Sequence, residues 1–440
     1  MSEYLYIKNA SQVITMSGSS NKPKIGREMS NIGGIENGSV LIKKDRIVFV
    51  GANQAVEQYV SSLSEPVDVI NAAGKVVTPG LIDPHTHIVF AGSREKELEM
   101  RLKGAKYMDI LKAGGGILST TTETRQASEQ QLISETVPRL DRFLQYGVTT
   151  IEAKSGYGLT TEDEWKQLRV AKKLNEIHPI DLVSTFMGAH AVPYEYKENP
   201  DEFVQLIIEE MLPLVAKEKL AEFCDVFCEE GVFTVEQSRI ILAEGKKLGL
   251  LPKIHADEIV PFGGAELAAE LGAVSADHLL RASEEGILEM AEKGVIAVLL
   301  PGTAFFLMAE PANARRMIEA GVAVALSTDR NPGSSPTESL PFIMNLACLT
   351  MKMTPEEVLA ACTINAAHAI NRAHEIGSIE VGKKADVILF DARNYQTLQY
   401  NYAVNLVDTV IKNGKVVVKG GVNVAKREAF HQYSSTENRH

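Results

Sequence analysis

Residues 129–151 read EQQLISETVPRLDRFLQYGVTTI. Leu132, Ile133, Val137, Leu140, Phe143 and Leu144 recur at the spacing that gives an α-helix one apolar face. Gly147 follows, suited to the left-handed position that ends a helix. The β-branched run Val148-Thr149-Thr150-Ile151 then suits a strand covered on both faces. The same order of helix, glycine and buried strand returns at Gly272 before AVSADH, at Gly294 before VIAVLLP and at Gly321 before VAVALSTD. Thr234 with Gln237 three residues on reads as a capping box opening a helix over 235–247. Strands of this kind number about eight, at 81–88, 148–153, 183–189, 225–229, 252–256, 274–278, 295–300 and 322–328. Strands alternating with helices argue for an α/β fold with a parallel sheet, and eight units for a TIM-like (β/α)8 barrel. A doubly wound open sheet is the competing arrangement. No G-x-G-x-x-G opens a helix after a strand, so a nucleotide site has no support.

The two ends read differently. Residues 1–75 hold short alternating segments, YLYIKNA and GSVLIKKDRIVFVG, that lead into KVVTPG. Residues 377–440 return to that style with GSIEVGKKADVILFD and DTVIKNGKVVVKGG, where Asn413-Gly414 is a hairpin signal between two strand-like runs. Neither end is long enough for a comfortable core. The expected organisation is one small β-sandwich assembled from 1–75 and 377–440, beside a barrel over 76–376. The Gly/Ser/Asn-rich stretch 17–38 reads as a mobile loop.

Composition bounds the function. The chain has 440 residues, 45 Lys plus Arg against 57 Asp plus Glu, and a formal charge of −12. With 45% apolar and 23% charged residues it is an ordinary globular chain. An acidic chain without a basic run is a poor partner for nucleic acid. Four Cys are no disulfide framework, and the C-x3-C pair Cys224 and Cys228 reads as buried, reduced thiols. No stretch approaches a membrane span and the N-terminus carries no signal-peptide pattern, so a soluble cytoplasmic protein is expected.

Histidine placement carries the chemistry. Of ten His, His85, His87, His255 and His278 fall at the C-terminal ends of expected barrel strands, the face on which barrel enzymes build their sites. His85 and His87 are two residues apart on one strand, so both imidazoles face one way, with Cα atoms about 7 Å apart. His255 ends strand five, His278 strand six and Asp329 strand eight. Each alone reads as a strand-end hydrogen-bonding group. Together, three imidazoles and a carboxylate converge on one barrel mouth and leave a coordination position for water.

This constellation resembles the amidohydrolase superfamily, in which H-x-H, His, His and Asp sit on strands one, five, six and eight. The resemblance covers nearly the whole chain, the two-ended β-sandwich included. Binuclear members carry a carboxylated Lys on strand four. Here that strand reads DVFCEE (225–230), and Lys154 falls on strand two. The resemblance therefore implies one divalent metal ion held by His85, His87, His255 and Asp329, with zinc and iron both open. Asp329 and His278 would flank the attacking water, Asp329 accepting its proton and His278 polarising the carbonyl, with Glu258 at the ring N–H.

Within the superfamily, DPHTHIVFAGSRE (83–95), EAKSGYGL (152–159), MGAHAVP (187–193), HADE (255–258) and TDRNPGSSP (328–336) are similar to the imidazolonepropionase family. That likeness implies hydrolysis of the ring amide of 4-imidazolone-5-propanoate to N-formimidoyl-L-glutamate in histidine degradation. It also implies a homodimer. By the same resemblance Arg94 would fork onto the substrate carboxylate, Tyr157 would close over the ring, and His190 would be a further donor. Asn331, Gly333 and Ser334 would supply amide, backbone and hydroxyl contacts. Arg330 faces either the carboxylate or solvent, and Tyr107 is either a binding residue or part of a plain amphipathic helix. Asp257 reads as a cap of the next helix. Two other functions stand beside this one: a related deaminase acting on a nucleobase, against which Arg94 and Tyr157 speak, and a dead barrel serving as an interaction module, against which the complete ligand set speaks.

Overall fold

The computed structural model describes residues 2–425 apart from 106–108 and 110–114. The N-terminal segment forms strands Tyr4–Ile14 (β1), Gly34–Lys43 (β2), Arg46–Ala52 (β3), Val67–Asn71 (β4) and Val76–Pro79 (β5). The barrel strands are Leu81–Asp83 (β6), Val148–Lys154 (β7), Asp181–Ala189 (β8), Phe223–Cys228 (β9), Leu251–Ala256 (β10), Ser275–His278 (β11), Ile296–Leu299 (β12) and Val324–Leu326 (β13). Val387–Phe390 (β14), Val407–Lys412 (β15), Lys415–Lys419 (β16) and Val422–Asn423 (β17) complete the set among the described residues.

Strands β6 to β13 pair in sequence order as one eight-stranded sheet, every neighbouring pair parallel. Its ends meet through a parallel bridge between Thr86 and Arg330 and a hydrogen bond from the His87 amide to the Arg330 carbonyl (2.9 Å), which close the ring. The eight expected strands are thus all present, with helices outside them. The helix Glu129–Gln145 buries Leu132, Ile133, Val137, Leu140, Phe143 and Leu144. Gly147, Gly272, Gly294 and Gly321 that follow such helices all have positive φ, as the helix-stop reading requires. Thr234 and Gln237 form the reciprocal capping box.

The terminal strands form a separate mixed sheet in the order β17-β16-β15-β14-β5-β1-β2-β3, with β4 beside β1. Strand β5 joins its halves, parallel to β1 and antiparallel to β14. The sheet encloses a core to which both ends contribute, Ile7, Val13 and Val40 meeting Val387, Leu389 and Ile411. Asn413 (φ 48°) and Gly414 (φ 74°) form the tight turn between β15 and β16. The junction with the barrel falls at Gly80.

Two expectations change. Strand one, expected over 81–88, ends at Asp83. Pro84 has no N–H to continue the ladder, so His85 and His87 stand on an extended tail past the strand. The stretch 17–38 is not a free loop. Gly34–Gly38 already belong to β2, Met29 is buried, and Lys24 exchanges two hydrogen bonds with Asn365 (2.8 and 2.9 Å). No helix among the described residues is long and apolar enough to cross a membrane. All four cysteines are free, and Cys224, Cys228 and Cys362 are buried.

Candidate active site

The barrel mouth holds a cavity of about 450 Å³. Of the residues singled out in the sequence, His87, Arg94, Tyr157, His190, His255 and Glu258 line it, with His278, Asp329, Asn331, Gly333 and Ser334; His85 lies just behind. At its floor His85 Nε2 is 3.4 Å from Asp329 Oδ1, His87 Nε2 is 3.8 Å from the same oxygen, and the Nε2 atoms of His87 and His255 are 3.4 Å apart. Donors that share one ion at about 2.1 Å stand about 3 to 3.8 Å from each other. The observed spacings match.

Protonation strengthens the case. His85 Nδ1 is 2.6 Å from the Asp277 carboxylate and carries the ring proton, so its Nε2 is a bare lone pair. That Nε2 is buried without a hydrogen-bond partner and faces another electron-pair donor, Asp329. Burial above all holds His85, His87 and His278 well below the usual histidine range, in the neutral form that binds metal. Two groups of donors that could hold an ion, His85–His87–His255 and His85–His278–Asp329, share His85. The residues present fit a cation at their centre. Asp329 also accepts a hydrogen bond from Thr303 (2.6 Å), and burial pushes its carboxyl up to about 6. His278 (φ 75°) and Asp329 (φ 51°) occupy left-handed backbone at their strand ends, a strain of about 1–3 kcal/mol each that the surrounding barrel holds in place.

Beneath this floor lies a charged layer. Lys154 Nζ is 3.0 Å from Glu152, 2.6 Å from Asp225 and 3.4 Å from Asp277, and Lys253 Nζ is 2.6 Å from Glu152. All five side chains are wholly buried. The layer orients His85 through the Asp277 hydrogen bond, and its Asp225 Oδ2 lies 3.1 Å from His255 Nδ1 as a charge contact. Burial opposes charge here, yet the three carboxylates raise Lys154 well above the ordinary lysine value, and Lys154 with His255 holds Asp225 well below the ordinary carboxylate value. Lys154 is thus held as an ion-paired ammonium between these carboxylates. Strand four, β9, has no Lys.

The residues expected to bind a substrate line the cavity, and some of them have partners that the expectation did not include. Tyr157 is buried and its ring sits 5.8 Å from that of His87 and 5.3 Å from that of His190. His190 stacks on His87 (4.7 Å, 11°) and its Nδ1 donates to the Gly156 carbonyl (3.0 Å). Burial, then His255, pushes His190 down to about 3, so the ring is neutral and Nε2 is an acceptor. The expected donor is therefore an acceptor for an N–H. Asn331 spends its side chain on the loop: Nδ2 donates to Asp329 O and Ser334 Oγ, and Oδ1 accepts from the amides of Gly333 and Ser334. All four of its hydrogen-bonding positions are taken, which makes it a brace rather than a free amide. Arg330 faces neither the carboxylate nor solvent. It is buried, bonded to Glu338 (2.8 Å) and 5.3 Å over the Phe90 ring. Glu258 stands 3.6 Å from His278 Nδ1; burial, then the charges of Asp329 and Glu229, pushes its carboxyl up to about 8. Asp257 caps the helix Gly264–Leu271 as expected, accepting from the amides of Phe262, Gly263, Gly264 and Ala265. Tyr107 lies outside the described residues.

Several supporting residues were not singled out in the sequence. Glu164 accepts from the amides of Gly156, Gly158 and Leu159, and Gln167 from that of Tyr157, together fixing the Tyr157 loop. Glu229 accepts from the Ile259 amide (2.8 Å) and holds the loop after His255. Glu97 receives Arg94 in a two-point contact, 2.9 Å from Nε and 2.8 Å from Nη2. A Cβ on Gly333 would stand 2.1 Å from Arg94 Nη1. Gly333→Ala should thus push the flexible end of Arg94 aside, raising KM about tenfold while costing less than about 1 kcal/mol of stability. Steady-state kinetics beside a denaturant melt check it.

A family model described as the amidohydrolase family matches residues 76–417. An imidazolonepropionase of Shouchella clausii (strain KSM-K16) is 70% identical over 439 residues, covering 100% of this chain and 98% of that one. Another, of Geobacillus sp. (strain WCH70), is 65% identical and covers 95% of this chain and 98% of its own. Among solved structures, a triazine hydrolase variant superposes with a TM-score of 0.73 at 18% identity, covering 97% of each chain. An adenosine deaminase from Xanthomonas campestris with bound zinc superposes at 0.70 and 17% identity, covering 96% of this chain and 94% of that one. At that identity the likeness speaks for the fold. The full-length matches at high identity speak for more: the chain belongs to the amidohydrolase family and, within it, to the imidazolonepropionases.

Proposed function

We propose that this chain hydrolyses the ring amide of 4-imidazolone-5-propanoate to N-formimidoyl-L-glutamate in histidine degradation, with one divalent ion, zinc or iron, held by His85, His87, His255 and Asp329. The observation that carries this is the set of converging electron-pair donors at the floor of a cavity whose other side presents Arg94. An ion held there would supply Lewis acidity and make a nearby water nucleophilic close to neutral pH. Asp329 accepts the proton of the attacking water and returns it to the ring nitrogen as the C–N bond breaks. His278 donates to the carbonyl oxygen as it gains charge. Glu258 and the acceptor His190 Nε2 hold the ring edge, and Tyr157 covers its face. Arg94 retains its Nη1 side for the propionate.

The test is direct. Metal-replete protein should deplete the ring absorbance of 4-imidazolone-5-propanoate and leave cytosine and guanine unchanged. Turnover of a nucleobase without loss of the imidazolone would overturn the reading in favour of a deaminase. Arg94→Ala should raise KM for the propionate substrate by about tenfold or more, with kcat less affected; an unchanged KM removes Arg94 from that role. The proposal includes a cytoplasmic homodimer, so light scattering should give twice the 48.0 kDa chain mass.

A further inference from the structure

The helix Glu95–Leu102 begins at its cap residue Arg94, and Glu97 and Arg101 follow at the three- and seven-residue spacing of one helical face. All three line the active-site cavity, at the side where Gly333 sits. The two arginines are not equivalent. Arg94 gives Nε and Nη2 to both oxygens of Glu97, a complete bidentate pair. Glu97 has a third bond, accepting from the Gly116 amide (2.8 Å), so it is fixed where it stands. Arg101 has no carboxylate in salt-bridge contact among the described residues. It donates through Nη2 to the Gly333 carbonyl (3.2 Å) and lies 5.2 Å over the Phe306 ring, which set its plane. Its Nε is buried and has no hydrogen-bond partner among the described residues.

The charges at this side of the cavity therefore do not balance. Two guanidinium groups face one carboxylate, and the unpaired charge belongs to Arg101. Gly333 lies between them, its carbonyl on Arg101 and its missing Cβ leaving room for Arg94 Nη1. A single extra carboxylate at this side completes the set, reached by Arg94 Nη1 and by the free N–H groups of Arg101. We propose that Arg101 is a specificity-determining residue that, with Arg94, selects an imidazole-type ring bearing a carboxylate side chain. Glu97 is the positioning residue that locks Arg94 and leaves Arg101 as the charge that the ligand answers. The inference rests on the proposed function for the identity of the ring, and on the arginine pair alone for the carboxylate.

Binding rather than turnover tests it. Metal-replete protein is titrated calorimetrically with 3-(imidazol-4-yl)propionate and with the matching alcohol, 3-(imidazol-4-yl)propan-1-ol. The wild type should favour the acid by about tenfold or more, the scale of a charge-assisted hydrogen bond in a sheltered site. Arg101→Ala should erase most of that preference while the alcohol binds as before. Arg101→Lys, which restores the charge without the fork, should recover part of it. A variant that merely disturbs the fold would weaken acid and alcohol alike, and a thermal melt would report it. A preference unchanged in Arg101→Ala overturns the inference, as does a wild type that does not favour the acid. Absence of imidazolone hydrolysis with the acid preference intact would instead sink the proposed reaction and leave the role of Arg101 standing.

Discussion

Replacing Lys154 by methionine should cost about 3–5 kcal/mol of stability, although the side chain is far from solvent and close to methionine in length. The reason is what it leaves behind. Glu152, Asp225 and Asp277 surround Lys154 Nζ within 3.4 Å, and Lys253 alone would then answer three carboxylates in a wholly buried layer. Water cannot enter to replace the lost cation, so the remaining charges must take up protons or separate. Denaturant unfolding of metal-free protein measures the loss without interference from a bound ion. Adding Asp225→Asn to Lys154→Met should return part of it, because the two groups interact directly. A loss below about 1 kcal/mol would mean that the layer is not the ion-paired unit described here.

Asp329→Asn should have the largest effect on turnover, lowering kcat by about 10³–10⁴-fold. The substitution removes the charge and the proton acceptor while keeping the shape. Asparagine tolerates the left-handed backbone that position 329 adopts (φ 51°) and can still accept from Thr303, so the fold should keep its stability. Comparing kcat, KM and metal content of this variant with the wild type separates the proposed roles of Asp329 as ligand and as base. A fall of less than tenfold would remove Asp329 from the centre of the chemistry.

Much of this was legible from the order of residues alone. Helix, glycine and buried strand repeat so regularly from 129 to 329 that the barrel followed from periodicity, and the converging His and Asp side chains from their places at or just past strand ends. The charged layer escaped notice because its members are scattered over four strands. Its signal was present: Lys253 stands two residues before His255, and Glu152 two before Lys154, so each pair shares a strand face inside the barrel. Polar residues at inward positions of otherwise apolar strands point to a buried network beneath the site. His190 and Asn331 depart from expectation for a different reason. His190 looked like a donor until the Gly156 carbonyl claimed its ring proton, and Asn331 looked free until its own loop took every hydrogen-bonding position. Such partners come from other loops or from close turns, and residue type does not reveal them. Strand one ends at Asp83 rather than running to 88, and the signal for that was also in the sequence: Pro84 has no N–H to continue the ladder.

The proposed function needs one metal ion in one set of donors. Metal-free protein titrated with zinc should gain bound metal and imidazolone hydrolysis together, both rising linearly and levelling at one equivalent per chain. Activity that keeps rising to a second equivalent, or full activity with no metal bound, would contradict it.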